Sequence, residues 1–353
     1  MKAELSQSLT DSMTREVSRL LEVPIDALPK KNNDAALLKM LDQSSIVFDG
    51  RSLKLLRTVS KYRYKLKTNP TREQTEQAKE GFMERNRRCR PRADSYFRAA
   101  IDAYCCRNCT LSPTVYALAI SRALVQNIVQ RYRIGDPSHG PGTTFFKYDT
   151  VLNKYRYLER DVPDRLWRRH CDYFRPSPTF DTIAPLGGVS KCRLACVPKD
   201  ARGPRLVAPH LASAMWMQQA VRQGIERAVS HTPWIQTYCL PQGRDLCPIQ
   251  FDDQGINQSL AMYASENPTM YATMDLRDAS DLLSWALVAF LFGGTECFKD
   301  LAAVRATEVE SAPVNEKLWM HAPMGSATCF PVMALSLWAL AQGAMFVTRY
   351  GIS

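Results

Sequence analysis

Residues 269–292 constrain the fold more than any other part of the chain. Thr269-Met270-Tyr271-Ala272-Thr273-Met274 is β-prone and carries no charge, a pattern that suits a short buried strand. Asp275-Leu276-Arg277-Asp278 follows. Residues 279–292 then form a helix-length apolar run in which Ser280 or Asp281 can serve as N-cap. The pattern predicts Asp275 at the end of a strand, with Asp278 and Asp281 opening the helix behind it. A carboxylate at a buried strand end is unfavourable unless a cation compensates it, typically a metal ion or a substrate's guanidinium or phosphate counter-charge. Capping a helix N-terminus accounts equally well for Asp278 and Asp281. It does not account for Asp275, which stands as the candidate functional acid.

The 353 residues suffice for one large domain or two smaller ones, and the formal net charge of +11 points to a polyanionic partner such as nucleic acid. The excess is localised. Residues 51–98 hold fifteen Lys/Arg against five acids, with Tyr62, Tyr64 and Tyr96 among them. A solvated face explains many such runs, but the concentration of charge favours contact with a phosphate backbone. Eleven cysteines with no secretory signal imply reduced thiols in a cytoplasm. Cys105-Cys106-x-x-Cys109 has no second pair at ligand spacing, so it argues little for zinc. Residues 322–348 carry no charge and are long enough to span a bilayer, yet Pro323, Gly325, Pro331 and Gln342 interrupt them. A loop leading into a buried core helix is the reading favoured there.

Along the chain, residues 1–45 read as helical, Thr71-Arg72-Glu73-Gln74 starts a helix that stops before Pro91, and another helix covers residues 112–133. His139-Gly140-Pro141-Gly142 is a turn able to offer N–H groups to an anion. Lys191 to Lys199 alternates like a strand, turns at Asp200-Ala201-Arg202-Gly203-Pro204, and returns from Arg205, which places Lys191, Arg193 and Lys199 on one face of a cationic hairpin. Such a hairpin suits a triphosphate. Met215 to Val221 reads as the core stripe of a helix, and Asp252 and Asp253 read as turn and N-cap residues. Gly325 permits a close backbone approach, and Ser326 and Thr328 supply hydroxyls at the entry of the long apolar helix.

Taken together, four spaced segments resemble the replicase β subunit of the positive-strand RNA bacteriophages, the leviviruses. They are Val197-Pro198-Lys199-Asp200-x-Arg202-Gly203-Pro204-Arg205, Asp253-Gln254-x-x-Asn257, Met274-Asp275-Leu276-x-Asp278-Ala279-Ser280-Asp281 and Ala322-Pro323-Met324-Gly325-Ser326-Ala327-x-Cys329-Phe330-Pro331. Their order matches motifs F, A and B of RNA-dependent RNA polymerases. The resemblance implies an α+β, right-hand polymerase fold with fingers and a partial palm. It divides the chain into a basic helical region (residues 1–110), fingers with the cationic hairpin (111–264) and palm (265–353). By the same resemblance Asp275 is the catalytic carboxylate that binds two Mg²⁺ ions. Lys199 and Arg205 cradle the triphosphate, with Lys191, Arg193 and Arg202 of the same hairpin as further nucleotide-binding candidates; Ser280 or Asp281 meets the ribose 2′-hydroxyl, and Gly325 and Ser326 lie near the ribose and templating base.

The resemblance further implies RNA template and product, ribonucleoside triphosphates, host elongation factors Tu and Ts and a ribosomal small-subunit protein as partners. The setting would be the cytoplasm of a bacterial host, with no membrane. Such polymerases also carry a Gly-Asp-Asp hairpin, motif C, after motif B. The sequence reaches Arg349-Tyr350-Gly351-Ile352-Ser353 without one. The expectation is therefore a chain truncated before motif C, lacking the thumb and inactive or nearly so. A permuted palm using Asp252 and Asp253 as motif C is disfavoured, because the Asp-Gln-x-x-Asn pattern already accounts for them. The competing readings are a non-catalytic RNA-binding protein and a membrane-associated protein anchored through residues 322–348.

Overall fold

The computed structural model describes residues 69–91, 112–146, 154–155, 162–174, 188–200, 203–232, 238–239, 245–246, 249–267, 269, 273–274, 276–310 and 315–350. The helix expected in residues 1–45, the Cys105–Cys109 cluster and most of the basic run lie outside them. The chain divides into two compact units, Met1–Gly81 with Cys196–Leu206, and Phe82–Ala195 with Val207–Ser353. The architecture is α+β, with helices dominant and sheets small.

Numbered along the described residues, the first helix is α1, Arg72–Arg88. It starts with a reciprocal cap: the Gln74 N–H donates to Thr71 Oγ1 at 3.1 Å and the Thr71 N–H to Gln74 Oε1 at 3.0 Å. In α2, Pro113–Val129, the proline sits in the first turn, where its missing N–H has no helical partner to lose. The short α3, Asp164–His170, runs into a 3₁₀ turn at Cys171–Phe174.

Next come β1 (Lys191–Arg193), β2 (Ala195–Asp200) and β3 (Gly203–Val207). Here the structure departs from the sequence reading. Only β2 and β3 form the hairpin. Chain pairing breaks at Leu194, and β1 runs parallel to β6 (Glu308–Glu310), with Lys191 opposite Glu308 and Arg193 opposite Glu310. β6 also pairs antiparallel with β7, Glu316–Lys317. Local alternation cannot reveal a partner so distant in sequence, and the pairing with β6 decides where Lys191 and Arg193 belong.

The core of the second unit is helical. α4, Ala212–Ser230, buries Met217, Ala220, Val221, Ile225 and Val229 against α2, α7 (Trp285–Phe292), α8 (Glu296–Val304) and α9 (Cys329–Arg349). Two elements precede α7 in the chain: α5, Gln254–Glu266, and the single turn α6, Ala279–Leu282. A small ladder, β4–β5, joins Tyr238–Cys239 to Asp245–Leu246. Asp253 caps α5 as expected, accepting from the Gly255 N–H at 2.8 Å.

The uncharged C-terminal stretch becomes the loop to Thr328 and then α9, which by length and composition could cross a membrane. One face of it lays Val332, Leu335, Ala339 and Gly343 into the core against α2. The crossing is tight at Gly343, where a Cβ would land on the Ala117 carbonyl oxygen and the Ser121 hydroxyl. Gly343→Val is therefore expected to cost about 2–3 kcal/mol through overpacking. An unchanged urea midpoint for that variant would show that the two helices separate at no cost.

Candidate functional site

Asp275 and Arg202 lie outside the described residues. The chain just before Asp275 differs from the expected buried strand: Thr273 and Met274 are not in a strand, and Met274 is 88 % exposed. β-propensity records fit to a pleated, half-buried surface, and among the described residues nothing pairs with this segment.

The helix expected over residues 279–292 is instead two helices, α6 and α7, broken at Leu283 and Ser284. Across the break the Trp285 N–H donates to the Trp319 carbonyl at 2.8 Å and the His321 N–H to the Leu283 carbonyl at 2.7 Å. Sheet-like pairing with residues 319–321 outweighs helix continuity. Ser284 then caps α7, accepting from the Leu287 N–H at 3.2 Å. Neither Ser280 nor Asp281 is a cap. Asp278 holds the N-cap position of α6 in the left-handed region, at φ 54°, with no side-chain capping bond.

Ser280 and Asp281 turn inward. Arg85 of α1 donates from Nε to Asp281 Oδ2 at 3.0 Å, and Ser280 Oγ donates to Asp281 Oδ1 at 3.3 Å. Arg85 also approaches Asp278 at 3.9 Å. Burial pushes the Asp281 carboxyl above its ordinary pKa, against the opposing pull of Arg85. Cys89 donates its thiol to the Asp281 carbonyl at 3.4 Å. On the other side stands Cys329, the first residue of α9. Burial and the Asp281 charge raise its thiol pKa to about 12, opposed by its hydrogen bond with Ser280. The segment that follows Asp275 thus packs on the start of the helix that follows Gly325 and Ser326.

The loop at Gly325 is held from below. Gly325 takes φ 121°, and a Cβ there would lie 2.7 Å from the Ala208 carbonyl oxygen and 3.1 Å from Val207 Cγ1. The Ala208 N–H donates to the Met324 carbonyl at 2.7 Å. Ser326 is buried, with its hydroxyl 3.0 Å from that of Thr328. Gln218, fully buried in α4, accepts from the Ala327 N–H at 3.2 Å and donates to the Val304 carbonyl at 3.0 Å. Burial and nearby Arg305 lower the pKa of His210 to about 4 and of His321 to about 3, so both imidazoles stay neutral at pH 7. Arg305 itself donates to the carbonyls of His321 (3.0 Å), Met320 (2.9 Å) and Leu318.

The other expected cations divide into two groups. Lys199 and Arg205 are exposed on the β2–β3 hairpin. Arg193 spends its guanidinium on the Phe145 carbonyl at 2.6 Å and the Thr144 carbonyl at 3.3 Å, while Lys191 Nζ sits 5.0 Å from the Phe145 ring centroid. The His139–Gly142 turn offers both kinds of group to its neighbours: buried Lys154 donates to the Gly140 carbonyl at 2.8 Å and to that of Gly142, while the His139 N–H donates to the Tyr155 hydroxyl at 3.0 Å.

Among the described residues no three His, Cys, Asp or Glu side chains cluster as a metal cage. The two described acids nearest Asp275 in sequence, Asp278 and Asp281, both face Arg85. Arg85, Gln218 and Asn86 were not singled out from sequence. For Gln218 a signal existed, a lone amide on the apolar face of α4.

A family model described as RNA replicase, β-chain matches residues 175–351, half of the chain. No curated protein matches it.

Proposed function

The chain belongs to the RNA replicase β-chain family, whose work is RNA-directed RNA synthesis from RNA and nucleotide substrates. From that footing we propose that it is the polymerase subunit of a positive-strand RNA bacteriophage, acting by two-metal nucleotidyl transfer in the cytoplasm of a bacterial host. The packing of Ser280 and Asp281 against Cys329 carries this reading, because it brings the segment behind Asp275 to the base of the Gly325–Ser326 loop. In the reading, residues 111–264 serve as fingers and 265–353 as palm.

Asp275 would hold Mg²⁺ through its carboxylate, a hard-oxygen ligand suited to that ion. The chemistry that Mg²⁺ would supply at this acid is charge stabilisation of the transferring phosphoryl group. Lys199, Arg202 and Arg205 take the triphosphate, with Lys191 and Arg193 adding positive charge from β1. An ionised carboxylate has about four acceptor sites. Arg85 and Ser280 therefore leave Asp281 able to accept from a ribose 2′-hydroxyl, while Ser280 is the alternative partner. Gly325 and Ser326 line the ribose and templating base. Host elongation factors Tu and Ts and a ribosomal small-subunit protein complete the enzyme.

The test is Mg²⁺-dependent binding of a fluorescent ribonucleoside triphosphate. Asp275→Asn is expected to weaken it by about tenfold or more, since a charge-assisted metal contact is lost. Equal binding by the variant and the wild type would falsify the assignment.

A further inference from the structure

The second unit holds a cleft of about 840 Å³ that includes none of the residues assigned above. Its volume falls in the range typical of ligand pockets. α3 lines one side with Arg165 and Arg168, and Lys317 and Trp319 line another. Lys317 Nζ lies 4.4 Å from the Trp319 ring centroid and the Arg90 guanidinium lies 5.7 Å from it. Arg305 forms part of the wall, but its Nε and Nη2 groups are bonded to carbonyls, so it contributes mainly charge. Trp285, the other indole, stacks on both Phe298 and His321. Trp319 is therefore the ring left to meet a ligand. Two acids, Asp164 and Glu308, also line the cleft; Arg168 approaches Asp164 at 4.0 Å as a largely exposed pair, and the Asn315 amide lies 3.5 Å from Glu308 Oε2. Positive charge exceeds negative around an aromatic face.

We propose that this cleft binds single-stranded RNA, with an unpaired base stacked on Trp319 and flanking phosphates taken by Arg165, Arg168 and Lys317. Cationic side chains interleaved with an aromatic platform are what sequence-tolerant single-strand binding requires. The long chains of Lys317 and Arg90 can swing from the ring to the phosphates as a base arrives. A duplex hides its base faces and cannot use the ring. The inference adds a second RNA contact to the replicase reading but does not require Asp275.

The experiment is photo-crosslinking of the full chain to a single-stranded oligouridine carrying 5-iodouridine, with the attached peptide mapped by mass spectrometry. The expected product joins RNA to the peptide that contains Trp319, in lower yield for a duplex of equal length. Arg165→Glu with Arg168→Glu, both on exposed positions, should reduce that product about tenfold. Circular dichroism and Mg²⁺-dependent nucleotide binding should remain as in the wild type. Crosslinks confined to other peptides, or full yield in the folded double variant, would overturn the proposal. A Trp319 crosslink in a wild-type chain that binds no nucleotide would leave this proposal standing and the polymerase assignment refuted.

Discussion

Replacing Asp300 with alanine is expected to destabilise the second unit by about 2–4 kcal/mol, since a buried carboxylate that organises several donors is lost. Asp300, in α8, is 3 % exposed. Its Oδ2 accepts from the Tyr132 hydroxyl at 2.9 Å, and its Oδ1 accepts from Arg169 Nε at 2.6 Å and lies 3.3 Å from His170 Nε2. Burial alone would raise its pKa. The contacts with His170, Arg169 and Tyr132 outweigh that and hold it below the ordinary carboxylate value. Arg169 is a third exposed and keeps Glu296 at 2.6 Å, so its share of the loss is discounted. The penalty falls mainly on Tyr132, which loses its acceptor inside the core, and on buried His170, which loses the carboxylate 3.3 Å from its Nε2.

A depressed folded-state pKa stabilises the protein above the unfolded carboxyl value, about 3.9. That stability disappears as pH falls through the folded value. The gap in urea midpoint between wild type and Asp300→Ala should therefore be full at pH 7 and shrink progressively below about pH 4. A gap independent of pH would remove the carboxylate's charge from the account. A gap near zero at pH 7 would remove the network altogether.

Gly325→Ala should produce the other large effect, a loss of about 2–4 kcal/mol together with about tenfold weaker nucleotide binding. Two penalties combine there. The backbone at φ 121° disfavours any side chain, and the new methyl meets the Ala208 carbonyl at 2.7 Å. Gly294 separates them. It too has positive φ, 87°, yet a Cβ there meets nothing within 4 Å. Gly294→Ala should cost only about 1 kcal/mol, the backbone penalty alone. Thermal denaturation of both variants, with nucleotide titration of Gly325→Ala, measures the contrast. Equal losses at the two glycines would mean that contact with Ala208 contributes nothing.

Local signals in the sequence carried far where chemistry between near neighbours decides structure. The Thr71–Gln74 cap, the Asp253 cap and the core role of the uncharged helix all follow from residues a few positions apart. Long-range pairing was hidden. Nothing near Leu283 announces that residues 319–321 will pair there and split one helix into two. Nothing near Lys191 names β6 as its partner. The site shows the same division. Gly325 and Ser326 stood out through a backbone requirement and a hydroxyl, whereas Arg85 looked like one cation among fifteen in its stretch until Asp281 was seen beside it.

Arg85 and its neighbour Asn86 give that helix an importance its motif-free sequence conceals. Asn86 donates to the Lys317 carbonyl at 2.8 Å and accepts from the Trp319 N–H at 2.8 Å, filling the place of an absent strand while Arg85 neutralises Asp281. One turn thus rivets two distant stretches of chain together, one leading out of Asp275 and one leading into Gly325. Trimming the N-terminus past this turn would strand a half-buried charge and unpair a backbone edge in a single cut. Any dissection of the protein into smaller working parts has to keep these two residues with the C-terminal half.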